Sequence, residues 1–461
     1  MSNLDMSYPM LLTEGVAAIR AGEIKPSEWT ASCIDVIEKL EDGLKAWGFF
    51  DAELARQSAE KLDLVDWSRM KPFPALAGAP LGVKDIFNTY AMPNSMGSPI
   101  RREYFPGNDA RVIEWAKLLG ATVVGKTKTA EFAVHHPPDT LNPWGRHVIA
   151  GTSSTGSAVA VAAGMIPAAF STQSGGSIAR PASYNGVVGY KPSFGLIPRT
   201  GVLKTCDTLD TIGWMTRSVA DSKLLLDNLR VRGDNYPMVQ RGMERAAIKS
   251  QQNVTTRVAL VKAPGWKEAQ TYTKDEVKRI ADQLSDRKDV KFVELDLQEP
   301  LADVHDIHAT IYNKSLSYYF FRELSKIDGV SHVFKEINEI GSLITPQKYF
   351  DALAEQERVI REFDQMMGQY DILITPSVSG EAVKWEEYEK KDSSLIWTTT
   401  GAPIISLPLS KGPKGLPIGM TLIGQKYADY ALLEFAESVM PEAVYPVFPS
   451  WCHAGDFTTI V

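Results

Sequence analysis

The sequence predicts an α/β fold whose sheet is covered by helices on both faces. Three observations predict it. Short apolar, β-branched runs alternate along the chain with segments of helical periodicity. The 461 residues are 44% hydrophobic and 23% charged, an ordinary globular composition with enough apolar material for a large core. No internal repeat and no long low-complexity linker interrupts the alternation. At about 150 residues per domain the length would divide into roughly three units, with one large core as the alternative.

The elements follow in chain order. Thr30, Cys33, Ile34, Ile37 and Leu40 fall at helical spacing after Pro26-Ser27, with Ser27 the expected N-cap. Leu81-Gly82-Val83 reads as a short buried strand leading into Lys84-Asp85. Residues 110–119 read as a helix stopped by Gly120, and 121–124 as a β-branched strand. The small, Ala-rich run 157–166 reads as a helix that neighbouring backbone approaches closely. Residues 232–256, polar and of alternating charge, read as a surface excursion, and 270–370 as mostly helical. Strands are expected at 372–374, 404–407 and 418–423.

Charge and cysteine content exclude several classes. The net charge is −7, and no run of five or more Lys/Arg occurs, so neither nucleic acid nor an anionic membrane surface is an expected partner. Cys33, Cys206 and Cys452 are widely spaced and form no CxxC pair. They read as reduced, mostly buried thiols of a cytoplasmic protein. The start, MSNLDMSYPM, has no basic stretch ahead of an apolar one, so no signal peptide is expected. Residues 148–179 carry no charge, but Gly, Ser, Thr, Gln and Pro167 make them unfit to span a bilayer.

Three motifs tempt and fail. GATVVGKT at 120–127 matches the P-loop pattern, yet a helix precedes it and Thr122-Val123-Val124 are strand formers where a phosphate loop should be. His305 and His308 have a metal-ligand spacing without HExxH or a third ligand nearby, so they read as surface or internally satisfied histidines and no metal is expected. There is no GxSxG elbow.

The region 151–195 carries the chemistry. Ser153-Ser154-Thr155-Gly156-Ser157 and Gln173-Ser174-Gly175-Gly176-Ser177 are two Gly/Ser clusters joined by the small helix. Glycines let backbone approach a ligand, and hydroxyls supply nucleophiles and proton carriers; tight packing alone is the competing explanation for either cluster. Together with GVKDIF at 82–87, the set resembles the amidase signature family of serine hydrolases that cleave C–N bonds. Matches run the length of the chain: Gly125-Lys126-Thr127 with Glu131-Phe132, GVVGYKP at 186–192, 370–376, Gly401-Ala402-Pro403 and GLPIGMTLIG at 415–424.

The resemblance implies one domain over 1–461 with a signature core at about 70–220, built on a large central twisted mixed sheet. It also implies a Ser-Ser-Lys triad, with Lys84 as base, Ser153 as bridge after a cis Thr152–Ser153 bond, and Ser177 as nucleophile. Backbone N–H groups around Ser174, Gly175 and Gly176 would form the oxyanion hole. No metal or organic cofactor is required. Two departures stand out. Thr152 and Thr155 replace glycines of the usual GGSSGGS cluster, and Ala179 precedes Arg180 where many members carry Arg two residues after the nucleophile. Arg180 could bind a substrate carboxylate or tie the loop to the core; Trp144, Trp397 and the loop HHPPDTLNPW could line the entrance or simply pack.

The expected substrate is a small linear amide, with a carbamate (urethane), aryl amide or ester on the same triad as the alternative. A glutaminase subunit of a tRNA-dependent amidotransferase is a second class; Thr152, Thr155 and the missing basic patch speak against it. A non-catalytic scaffold is a third, against which the joint presence of Lys84, Ser153 and Ser177 speaks. A homodimer is left open.

Overall fold

A computed structural model describes residues 9–252, 255–324, 329–387 and 389–440, so Cys452 lies outside the described residues. Its centre is an eleven-stranded sheet. The strands are β1 (Trp47–Phe50), β2 (Pro80–Lys84), β3 (Thr122–Thr127), β4 (Ala168–Gln173), β5 (Val188–Lys191), β6 (Thr211–Thr216), β7 (Thr256–Lys262), β8 (Val290–Asp296), β9 (Ile372–Pro376), β10 (Ile404–Lys411) and β11 (Pro417–Gly424). Their order is β1-β3-β2-β4-β6-β5-β10-β11-β9-β7-β8. The sheet is mixed: β2 runs parallel to β3 and β4, and β7 parallel to β8 and β9. β4, β6, β5, β10, β11 and β9 pair antiparallel in turn.

Alternation along the strands sends side chains to opposite faces. Val258, Leu260, Ile372, Ile374, Met420 and Leu422 join one continuous core, which also takes Leu81, Val83, Phe170 and Trp214. The opposite face is divided. Ala169 and Met215 enter a cluster with the helices Pro26–Leu44 and Thr155–Ala162. Ala259, Leu373, Ile404 and Ile423 enter another, under the helices Val304–Tyr319, His332–Leu343 and Pro346–Met366. The short helix Ala179–Asn185 straddles that division, with Ala179 in the second cluster and Ala182 in the first.

Several local expectations change. Ser27 is not the N-cap: the helix starts at Pro26, Lys25 holds the cap position, and the Ser27 hydroxyl donates to Asp63 Oδ2 at 2.5 Å. β3 runs on through the supposed phosphate loop. A Cβ on Gly125 would stand 2.6 Å from the Phe49 carbonyl of β1, and Lys126 is buried against Asp85 at 3.0 Å. The 157–166 helix starts earlier, at Thr155, and ends at Ala162. Residues 237–252 form a helix whose Val239 and Met243 seat on the core, and β8 breaks the otherwise helical 270–370 stretch. Among the described residues, no helix is long and apolar enough to cross a membrane.

Candidate active site

Lys84 closes β2 and is fully buried. Its Nζ lies 2.8 Å from Ser153 Oγ, 3.0 Å from Ser154 Oγ and 3.0 Å from Thr172 Oγ1 on β4. Burial disfavours the ammonium and pulls the Lys84 pKa down to about 7, against the opposing charge of Asp210. The Thr152–Ser153 peptide is cis. The two serines lead into the helix Thr155–Ala162, whose second residue must be small: a Cβ on Gly156 would sit 2.2 Å from the Ala46 carbonyl. The Thr155 hydroxyl donates back to the Gly151 carbonyl at 2.6 Å, so this departure from a glycine-only cluster is absorbed locally.

The second cluster leaves the end of β4. Gln173 Oε1 accepts the N–H groups of Ile178 and Ala179 at 2.8 and 3.0 Å, which bends residues 174–177 into a loop ahead of the helix Ala179–Asn185. The Ser174 hydroxyl donates to Asp210 Oδ1 at 2.5 Å, and the Thr205 hydroxyl shares that oxygen at 2.5 Å. Every carbonyl of the loop's Ser174-Gly175-Gly176 run is held. His308 Nε2 donates to Ser174 O at 2.7 Å, Thr398 Oγ1 to Gly175 O at 2.7 Å, and Arg180 N to Gly176 O at 3.0 Å. Among the described residues, the N–H groups of Gly175, Gly176 and Ser177 donate to no protein acceptor. A cleft lined by Ala133, Thr172, Ser174, Lys204 and Asp210 opens beside the hydroxyls around Lys84.

Lys84 and Ser153 are therefore brought into direct contact. Ser177 is part-exposed, and among the described residues its hydroxyl has no protein partner, so no hydrogen bond joins it to Ser153. Arg180 Nε donates to Asp392 Oδ2 at 2.6 Å, and its NH1 lies 3.8 Å from Glu389; the two carboxylates outweigh burial and hold the guanidinium charged. Trp144 sits at the far end of the helix Ala179–Asn185, donating to Asn185 O at 2.9 Å beneath the Lys411 ammonium. Trp397 does not line an entrance: it is buried against Phe363 and bonds Ser393.

His305 meets the Asp392 carbonyl at 3.1 Å, and among the described residues no group of three or more potential ligands could hold a metal. His308 is the one side chain of the metal-spaced pair that reaches the loop, as a partner of Ser174. The sequence reading missed that role, together with Thr398, Gln173 and Asp210. Only Gln173 carried a signal, by standing inside the second cluster.

Comparison with known proteins places this geometry in a family. The Amidase family model matches residues 28–433. A glutamyl-tRNA(Gln) amidotransferase subunit of Halothermothrix orenii is 28% identical, with 93% of this chain and 96% of that protein covered. A crystal structure of an amidase superposes with a TM-score of 0.78 at 26% identity, covering 93% of this chain and 98% of that one. Native peptide amidase from Stenotrophomonas maltophilia has the same fold, with a TM-score of 0.78 at 24% identity over 96% of this chain and 99% of that chain. A matched model spanning both serine clusters and nearly the whole sheet leaves one conclusion: the chain belongs to the amidase signature family of hydrolases acting on C–N bonds.

Proposed function

We propose that this protein hydrolyses linear amides through an acyl-enzyme, with Ser177 as nucleophile, Ser153 as bridge and Lys84 as base. The observation that carries the reading is Lys84 itself, a buried amine with a pKa near 7 held 2.8 Å from the Ser153 hydroxyl. A serine is a poor nucleophile until its proton is removed, and only an uncharged amine can take that proton. Ser177 Oγ adds to the amide carbon as its proton passes to Ser153, while the Ser153 proton passes to Lys84. The carbonyl electron pair moves onto oxygen, where the free N–H groups of Gly175, Gly176 and Ser177 meet it. Collapse breaks the C–N bond, and the relayed proton goes to the departing nitrogen, which could not leave as an anion. Water then attacks the ester by the same relay and frees the acid and Ser177.

Arg180 already answers Asp392 and Glu389, which supports an uncharged acyl group and the tie-to-the-core role for this arginine. A carbamate fits the same relay, since only the substituent on the carbonyl differs. A fluorophosphonate tests the assignment by mass: Ser177 should gain the phosphonyl group, and Ser177→Ala should take none and lose amide turnover. A turnover near wild type in Ser177→Ala would refute it.

The amidotransferase relative favours a second reading, a glutaminase that passes ammonia to a partner. Glutamine brings an α-carboxylate that needs a countercharge, and the guanidinium of Arg180 is committed to its own carboxylates. Glutamine hydrolysis exceeding that of every simple amide would favour this second reading.

A further inference from the structure

We propose that His308 and Thr398 are positioning residues that aim the oxyanion-hole N–H groups, an inference that rests on Ser177 being the nucleophile. Across a trans peptide the N–H points opposite the preceding carbonyl. Only the Thr152–Ser153 and Lys71–Pro72 bonds are cis among the described residues, so the peptides of the 174–177 loop are trans. Holding the Ser174 carbonyl thus orients the Gly175 N–H, and holding the Gly175 carbonyl orients the Gly176 N–H.

The two holds come from outside the loop. His308 reaches in from the helix Val304–Tyr319 and Thr398 from the helix Ser394–Thr399. A carbonyl can only accept, so His308 Nε2 carries the hydrogen in its 2.7 Å bond. The ring is fixed by stacking on Tyr312, with centroids 5.6 Å apart at 25°. Thr398 is fixed by accepting from Gln173 Nε2 at 2.9 Å, so one hydroxyl ties the end of β4 to the Gly175 carbonyl. The loop is also closely packed at Gly176, where a Cβ would lie 3.0 Å from Arg180 Nε and 3.1 Å from Ser394 Cβ. Without these holds the two glycines are free to turn their N–H groups away from a developing oxyanion.

The test separates aiming from packing. His308→Phe keeps an aromatic ring beside Tyr312 but has no donor, whereas His308→Gln keeps a donor; Thr398→Val removes the hydroxyl at constant shape, and Thr398→Ser restores it. Each variant is assayed with a linear anilide and with an aldehyde analogue, which Ser177 would convert to a tetrahedral hemiacetal. In His308→Phe and Thr398→Val, kcat should fall roughly ten- to a hundredfold, below the roughly 10²–10³ lost when a donor itself is removed. KM should stay within about twofold, because the loss is confined to the transition state. Aldehyde affinity should fall in parallel with kcat, and the His308→Gln and Thr398→Ser variants should retain most of both. Unchanged kcat, or equal losses in the donor-keeping and donor-lacking variants, would overturn the proposal. Should His308→Phe lose its cooperative melting transition, the Thr398 pair alone decides. Failure of the wild type to take a phosphonate on Ser177 would instead remove the nucleophile assignment on which the aiming rests.

Discussion

Lys84 faces three hydroxyls, and their effect on its charge opposes that of burial. An ammonium donates to all of Ser153, Ser154 and Thr172, which favours the charged form, yet desolvation prevails and the pKa falls to about 7. Thr172→Val removes one acceptor without adding volume. The pKa should drop further, and the acid limb of kcat/KM should move to lower pH by roughly half to one unit. A limb that stays in place or moves up would contradict this. Arg180 gives a second expectation. Its charge is matched by Asp392 and Glu389, so an amide bearing a terminal carboxylate on its acyl group should show kcat/KM at least about tenfold below its neutral isostere. A preference for the acid would contradict the committed pairing. The segments holding Lys84, Ser153 and Ser177 were legible because their motifs are local. His308 and Thr398 were not, since each acts on a residue 134 or 223 positions away.

At the scale of elements, legibility followed burial pattern. β9, β10 and β11 showed themselves as apolar runs, as strands covered on both faces do. β4 and β6 are equally buried but hid their signal behind the polar residues Ser171, Thr172, Gln173, Thr211 and Thr216, of which Thr172 and Gln173 serve the site while the Thr211 and Thr216 hydroxyls bond close by in the chain. β8 hid for the opposite reason: it is a largely solvent-facing edge strand whose Lys291, Glu294 and Asp296 resemble a helix surface. The helix Thr155–Ala162 was legible through its small residues, and it supplies the next expectation. Gly156→Val should lower stability by about 1–3 kcal/mol or more, because its branched side chain would meet the Ala46 and Lys128 backbone. The midpoint of urea denaturation measures this, and a wild-type midpoint would refute the close approach.

For the whole molecule, the buried amines link the site to stability. Lys84 and Lys191 both titrate near 7 in the folded chain, well below the ordinary lysine value of 10.5. Between those limits the unfolded chain binds more protons, so stability should rise with pH. The rise should show between about pH 7 and 9, before the Cys33 thiol and the buried tyrosines, whose pKa values burial raises, begin to oppose it, since they lose their protons first in the unfolded chain. Lys84→Met should flatten that rise in the melting temperature; a slope identical to wild type would contradict the depressed pKa. In the proposed relay the same depressed amine makes Ser177 reactive, and the most direct measurement is the rate of Ser177 phosphonylation against pH in wild type and Lys84→Met. The wild-type rate should climb with an apparent pKa near 7 and the variant should label at most in trace. A wild-type rate flat from acid to alkaline pH, or a variant labelled as fast as wild type, would contradict an uncharged Lys84 acting through Ser153.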